Sequence, residues 1–307
     1  MPAKSLGWAW WRAPLTLGTI VAIVILACAA PARAQITFPS ASPISAGNIV
    51  IRAQPTATEE SGGVQSLYGE GVVLYGASPD LTFILENKSI VSNSAELFAH
   101  GQMQEMNATG FGDTVLDTRY IVYENDGVGS TFRIAPYFGI DIPTGMQNTN
   151  AFVPRELQPA SGDWGTREAL TSSWNTLFWN AQALIGYQNY ASSGGYQAGG
   201  GLLADAAFHY LVWPGDLDRE VPAEIFASLE ANYTLYTPDR FQGENVSGTG
   251  GQLLTVDPGF IYSRPDWGFA LTALLPVLQQ TRGIGGARYD YGFEAAFRIN
   301  FFTYHHW

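Results

Sequence analysis

In the stretch "EVPAEIFASLEANYTLY" (Glu220–Tyr236) every odd position from Val221 to Leu235 is apolar, while the even positions carry Glu220, Glu224, Glu230 and Asn232. A period of two is the side-chain period of a β-strand, so one face of this segment is greasy and the other charged. The pattern recurs. In "STFRIAPYFGIDIP" Phe132, Ile134, Pro136, Phe138, Ile140 and Ile142 share one face, and Arg133 and Asp141 lie on the other. "WGFALTALLPV" alternates without a break from Trp267 to Val277. "YDYGFEAAFRINFF" sets Tyr289, Tyr291, Phe293, Phe297, Ile299 and Phe301 against Asp290, Glu294 and Arg298. A chain written this way folds as β-sheet with two differently solvated faces. Its 34 Gly, 13% aromatics and only 14% charged residues agree, since soluble domains carry about 25% charge.

The connectors between these segments come in two lengths. "ASPD" (Ala77–Asp80), "NDG" (Asn125–Gly127), "WPGDLD" (Trp213–Asp218) and "RPD" (Arg264–Asp266) are tight and rich in turn formers. Residues 92–110, 145–165 and 237–251 are long and polar. Short and long mostly alternate, with "SSGG" (Ser192–Gly195) as the exception. Counting back from Phe302 places strands near 287–302, 267–278, 252–263, 221–236, 196–212, 179–191, 166–177, 129–143, 111–124, 79–91, 65–76 and 47–57. That is about 12 strands, with ten or fourteen also compatible and the first strand and the pair at 166–191 the weakest. Both chain ends fall on the short-turn side.

The N-terminus has the form of an export signal. Lys4 and Arg12 flank the apolar run "LTLGTIVAIVILAC" (Leu15–Cys28), and "ARA" (Ala32–Ala34) is a small-x-small cleavage site. The expected organisation is a signal peptide over 1–34, a polar, exposed leader over 35–46, a barrel over 47–302 and a short tail over 303–307. Lipidation at Cys28 is the rival to cleavage after Ala34. Residues 1–34 hold Lys4, Arg12 and Arg33 and no acid, so cleavage leaves 12 basic against 27 acidic residues, a net charge of −15. That balance argues against nucleic acid as partner. The single Cys lies in the signal, which removes disulfide, Cys–metal and thiol redox chemistry from the mature chain. No cofactor is expected.

Alternation alone fits a soluble sandwich as well as a membrane barrel. The export signal, the aromatic content of the apolar faces and the aromatic closing strand select the second. Beyond residue 35 no stretch of eighteen apolar residues offers a helical span. Strands in lipid must satisfy every backbone hydrogen bond, so the sheet has to close. The fold class is therefore all-β: a closed antiparallel up-and-down transmembrane β-barrel in a bacterial outer membrane. Its expected partners are outer-membrane lipid, the barrel assembly machinery that reads the closing strand, and a small-molecule solute.

"GFGDTVLDTRYIVYE" (Gly110–Glu124), "APYFGIDIPTG" (Ala135–Gly145), "VDPGFIYSRPDWGFALTALLPV" (Val256–Val277) and "DYGFEAAFRINFF" (Asp290–Phe302) occur in this order. The ordered set resembles the outer-membrane family of MetA-pathway phenol degradation proteins, over roughly residues 65–302. The resemblance implies an outer-membrane barrel that moves small, often aromatic or hydrophobic compounds, and it brings no catalytic residues. This chain has Arg119 where the family more often has Lys.

On the barrel reading the polar faces line the lumen. The channel-lining residues expected are Asp113, Arg119, Arg133, Asp141, Glu224, Glu230, Asp257, Asp290, Glu294 and Arg298, with Asp117, Asp205, His209 and Glu220 beside them. Either they form an acidic pore with basic spots, or they pair across the lumen and fill it, with Arg119, Arg133 and Arg298 as hubs that each hold two carboxylates. An enzymatic barrel would need Ser and His two residues apart or on neighbouring strands. Position 102 is Gln and position 211 is Leu, so His100 and His209 lack the first arrangement. His305 and His306 read as an exposed tail, and no metal site is expected. A structural or adhesive barrel and a lipid-acting barrel enzyme stand as alternatives to a channel.

Overall fold

The alternating segments form an antiparallel wall that closes on itself. The computed structural model of the chain describes residues 40–60, 64–99, 102–146, 158–215, 223–264, 267–280 and 289–301. Its strands are β1 (Ile49–Glu60), β2 (Val64–Gly76), β3 (Leu81–Ala99), β4 (Gln102–Gly110), β5 (Thr114–Tyr120), β6 (Tyr123–Gly127), β7 (Ser130–Ile142), β8 (Gly165–Thr176), β9 (Trp179–Tyr190), β10 (Tyr196–Gln197), β11 (Gly201–Trp213), β12 (Glu224–Tyr236), β13 (Arg240–Phe241), β14 (Glu244–Asn245), β15 (Gly251–Ser263), β16 (Trp267–Gln279) and β17 (Tyr289–Phe301). β4, β5 and β6 are one strand broken twice, so the wall has twelve positions. β17 pairs back onto β1, with Arg298 opposite Arg52, and so removes both edges.

Most wall strands are 12 or 13 residues long. At about 3.3 Å per residue and a tilt of about 40°, such a strand rises about 30 Å, the thickness of a bilayer core. The outward positions form a continuous apolar surface that runs round the wall, through Leu85, Leu116, Phe138, Leu170, Ile185, Phe208, Leu229, Phe260, Leu271 and Phe293. The inward positions include Asp117, Thr171, Glu230, Asp257 and Thr272, each at most 2% exposed. Apolar outside and polar inside is the inverse of a soluble sandwich. It marks a transmembrane barrel.

One end of the barrel carries both ends of the wall, the connectors 77–80, 128–129 and 177–178, and the ends of β11, β12, β15 and β16 at Trp213, Glu224, Ser263 and Trp267. We call it the inner end. The other, outer end carries residues 143–146 and 158–164, the connectors 191–200 and 237–250, the ends of β16 and β17 at Gln279 and Tyr289, and the β3–β4 hairpin. Three local expectations change. Gly127 closes β6, and the turn lies at 128–129. The wall strand after "SSGG" starts at Gly201, because residues 191–200 turn back on themselves through a Ser193–Tyr196 bridge. The connector is therefore long, as alternation requires. β10 then pairs with β13, and β13 with β14, so two outer connectors share a three-stranded sheet.

The leader also differs. Its described part starts buried: Ser40 is 2% and Ala41 0% accessible, residues 42–44 are half-buried, and only Ser45 and Ala46 are exposed. Ala41 packs with Ile121 and Ala135, and Ile44 against the cluster of Val50, Val72, Leu74, Ile84 and Tyr137. Arg119 donates through Nη1 to the Ser40 carbonyl. A Pro/Ser-rich segment suits this place because short side chains fit a polar lumen and a guanidinium satisfies its backbone.

Candidate functional site

The lumen is built by position parity, and its charges segregate along the barrel. Toward the outer end Arg167 of β8 stands between two acids. Its Nη2 is 3.0 Å from Asp141 on β7, and its Nη1 is 3.3 Å from Glu86 on β3. Asp117 on β5, 0% exposed, lies over Gly139, where a Cβ would come within 1.7 Å of its Oδ1. Only glycine leaves room for that carboxylate. A cavity of about 130 Å³ opens here, lined by Glu70, Glu86, Asp141, Arg167 and Tyr190 among others.

Farther round the wall the acids bind neutral donors. Glu294 accepts from Gln54 Nε2 at 3.2 Å and from Thr56 Oγ1 at 3.3 Å. Asp257 accepts from Thr255 Oγ1 at 2.9 Å, from Asn232 Nδ2 and from the Leu275 N–H at 3.4 Å. Glu230 lies 3.5 Å from His209 Nε2 and accepts from Ser228 Oγ at 3.3 Å. Each is held by neighbours on its own or the adjacent strands, so these carboxylates stiffen the wall without crossing the lumen.

The inner end is the reverse. A cavity of about 320 Å³ there is faced by Arg52, Arg119, Arg133, Arg298 and His209, with the leader's Ser40 to Ile44 along one side. Among the described residues none that lines it is a carboxylate. Arg119 donates to Ser40 and to Thr82 Oγ1 at 3.2 Å. Arg133 meets Glu124 on the neighbouring β6 at 2.8 Å and Asp126 at 4.0 Å.

Of the ten residues expected to line the channel, Arg119, Asp141, Glu230, Asp257, Glu294 and Arg298 are buried at inward positions. Glu224 is half-buried at the inner start of β12. The side chain of Asp290 lies outside the described residues, as do Glu220 and the tail with His305 and His306. Asp113 falls in the break between β4 and β5 and serves as a clasp. Its Oδ1 accepts from the Gly145 N–H at 3.0 Å, and its Oδ2 from the Ser161 N–H at 2.8 Å, Ser161 Oγ at 2.7 Å and the Gly162 N–H at 3.1 Å.

Two of the three expected hubs are corrected. Neither Arg119 nor Arg298 has a carboxylate partner among the described residues, whereas Arg133 does meet two, Glu124 and Asp126, at the inner rim. Deeper in the lumen the hub is Arg167, which sequence reasoning missed together with Arg52, Glu70 and Glu86. In β8 the adjacent Arg167 and Glu168 point to opposite faces, so a charge on the outward rim hides the alternation. The parity of Leu170 and Trp174, both exposed, would have placed Arg167 inward.

The enzyme test also gains a residue. Ser228 lies directly opposite His209 on the neighbouring strand. Its hydroxyl donates to Glu230 and not to His209, whereas nucleophilic catalysis needs the imidazole between hydroxyl and acid. Among the described residues no group of three or more His, Cys, Asp or Glu is placed to hold a metal ion.

A closed twelve-position barrel with an apolar belt and a charged interior defines a transmembrane barrel of the outer-membrane type. Residues 44–288 match the model of the family described as "Putative MetA-pathway of phenol degradation", and the chain belongs to that family. Its fold is similar to that of the COG4313 outer membrane channel from Pseudomonas putida F1, at 13% identity and a TM-score of 0.60 over 87% of this chain and 100% of that one. Lower similarity extends to LpxR from Salmonella typhimurium (8% identity, TM-score 0.40, 83% of this chain and 100% of that one). The translocator domain of the autotransporter NalP from Neisseria meningitidis compares at 10% identity and TM-score 0.43, over 83% of this chain and 87% of that one. No curated protein matches the sequence.

Proposed function

We propose that the protein is an outer-membrane channel that lets small molecules pass through the barrel lumen. The observation that carries this reading is the pair of cavities faced by charged side chains inside one closed wall, one about 320 Å³ at the inner end and the other about 130 Å³ toward the outer end. Water-filled space lined by fixed charges is what a passive conduit requires. The export signal over 1–34, cleaved after Ala34, delivers the chain, and the inner end with its short turns faces the periplasm. The family supports aromatic or hydrophobic compounds as the class of solute.

Swelling of proteoliposomes in small neutral solutes tests the reading. Faster swelling than in protein-free vesicles is the expected result. A barrel that keeps its heat-sensitive folded mobility on gels but gives no swelling would instead support a structural or adhesive role, with the outer connectors as its working surface.

A further inference from the structure

We propose that the inner-end cavity is a binding site for a small organic anion, in which a carboxylate meets Arg298 and Arg52 and a hydrocarbon body lies on the adjoining apolar wall. The proposal deepens the channel reading and rests on it for its biological sense.

Arg298 carries the argument. The residue is 3% exposed, and its Nε, Nη1 and Nη2 are all buried with no hydrogen-bond partner. A guanidinium has five N–H donors and is always charged, so it does not escape burial by losing a proton. The neighbour directly across the β1–β17 ladder is Arg52, whose Nε is likewise buried without a partner. Side chains opposite each other on paired strands stand close, and like charges there repel. The barrel does not lack acids: Glu294 is four residues along the same face of β17, yet it is held by Gln54 and Thr56. The wall thus spends neutral donors on Glu294 and leaves two guanidiniums facing a cavity without a counter-charge among its described lining residues. Planar forks of this kind bind carboxylates in paired, charge-assisted hydrogen bonds.

The site is positioned as well as charged. A Cβ at Gly268 would stand 3.0 Å from Arg298 Nη2, so the guanidinium rests against the β16 backbone in a place that a larger residue at 268 would crowd. Ile44, Val50, Leu74, Phe226 and Ile261 share the cavity with the arginines. The volume, about 320 Å³, suits an acid with one ring or a short chain.

Calorimetric titration of the purified barrel in detergent with sodium benzoate tests the proposal, and benzamide is the neutral comparison. Benzoate should bind saturably at one site per barrel, and benzamide should bind at least about tenfold more weakly. Arg298→Gln and Arg52→Gln, each checked for the folded gel mobility, should each weaken benzoate binding by about tenfold or more. Absence of saturable benzoate binding to the wild-type barrel, or equal binding of benzamide, overturns the proposal without use of any variant. So does benzoate affinity that is unchanged in both folded variants. Liposome swelling that persists without benzoate binding would retire the site and keep the channel. Benzoate binding without swelling would do the opposite.

Discussion

Arg167 and Arg298 both project into the same lumen, yet they are treated in opposite ways. Arg167 stands between Asp141 and Glu86, at 3.0 and 3.3 Å. Arg298 has no partner among the described residues, and another arginine lies across the ladder from it. Removing one member of a buried ion network strands the others, whereas removing a charge that has no partner strands nothing. The outer half of the lumen is therefore built to be rigid. The inner end holds charge in reserve. What separates them is the placement of counter-charges, since the chain has acids to spare.

The largest effect tests the rigid half. Arg167→Met leaves Glu86 and Asp141 facing each other and should lower stability by about 3–5 kcal/mol, read as the denaturant midpoint of the folded gel band in detergent. Gly139→Ala sets a Cβ on Asp117 and should cost about 1–3 kcal/mol by overpacking. Arg298→Met should have the other sign, from no change to a gain of about 1 kcal/mol in a buffer of weakly binding anions. A loss comparable to that of Arg167→Met would erase the contrast between the two halves. The smallest global effect belongs to Asp113→Asn. It loosens the clasp on Gly145, Ser161 and Gly162, so protease should cut the outer connector sooner while the unfolding midpoint moves by only about 0.5 kcal/mol.

The wall was legible in the sequence because lipid and lumen write a period of two. Strands such as Trp267–Gln279 and Glu224–Tyr236 lie within a few residues of where alternation puts them. The same period sets parity, and Asp141, Glu230, Asp257, Glu294 and Arg298 are buried at inward positions. Partnership was not legible. Arg52 and Arg298 become neighbours only through closure of β1 on β17, and Arg167 meets Glu86 across two intervening strands. Parity says that a side chain points inward, but not which others share its level. The leader misled for another reason. A polar composition reads as exposed when the interior is assumed to be apolar, and in a barrel the interior is where polar segments fit.

The central claim is that the lumen conducts and that the unpaired arginines at its inner end set its charge preference. Planar-bilayer recording of the wild-type barrel and of the double variant Arg52→Gln with Arg298→Gln, across a potassium chloride gradient, tests both parts together. The account predicts discrete conductance steps for both proteins and a reversal potential that shifts toward cation preference in the variant. A folded wild-type barrel without steps, or an identical reversal potential in the two proteins, would contradict it.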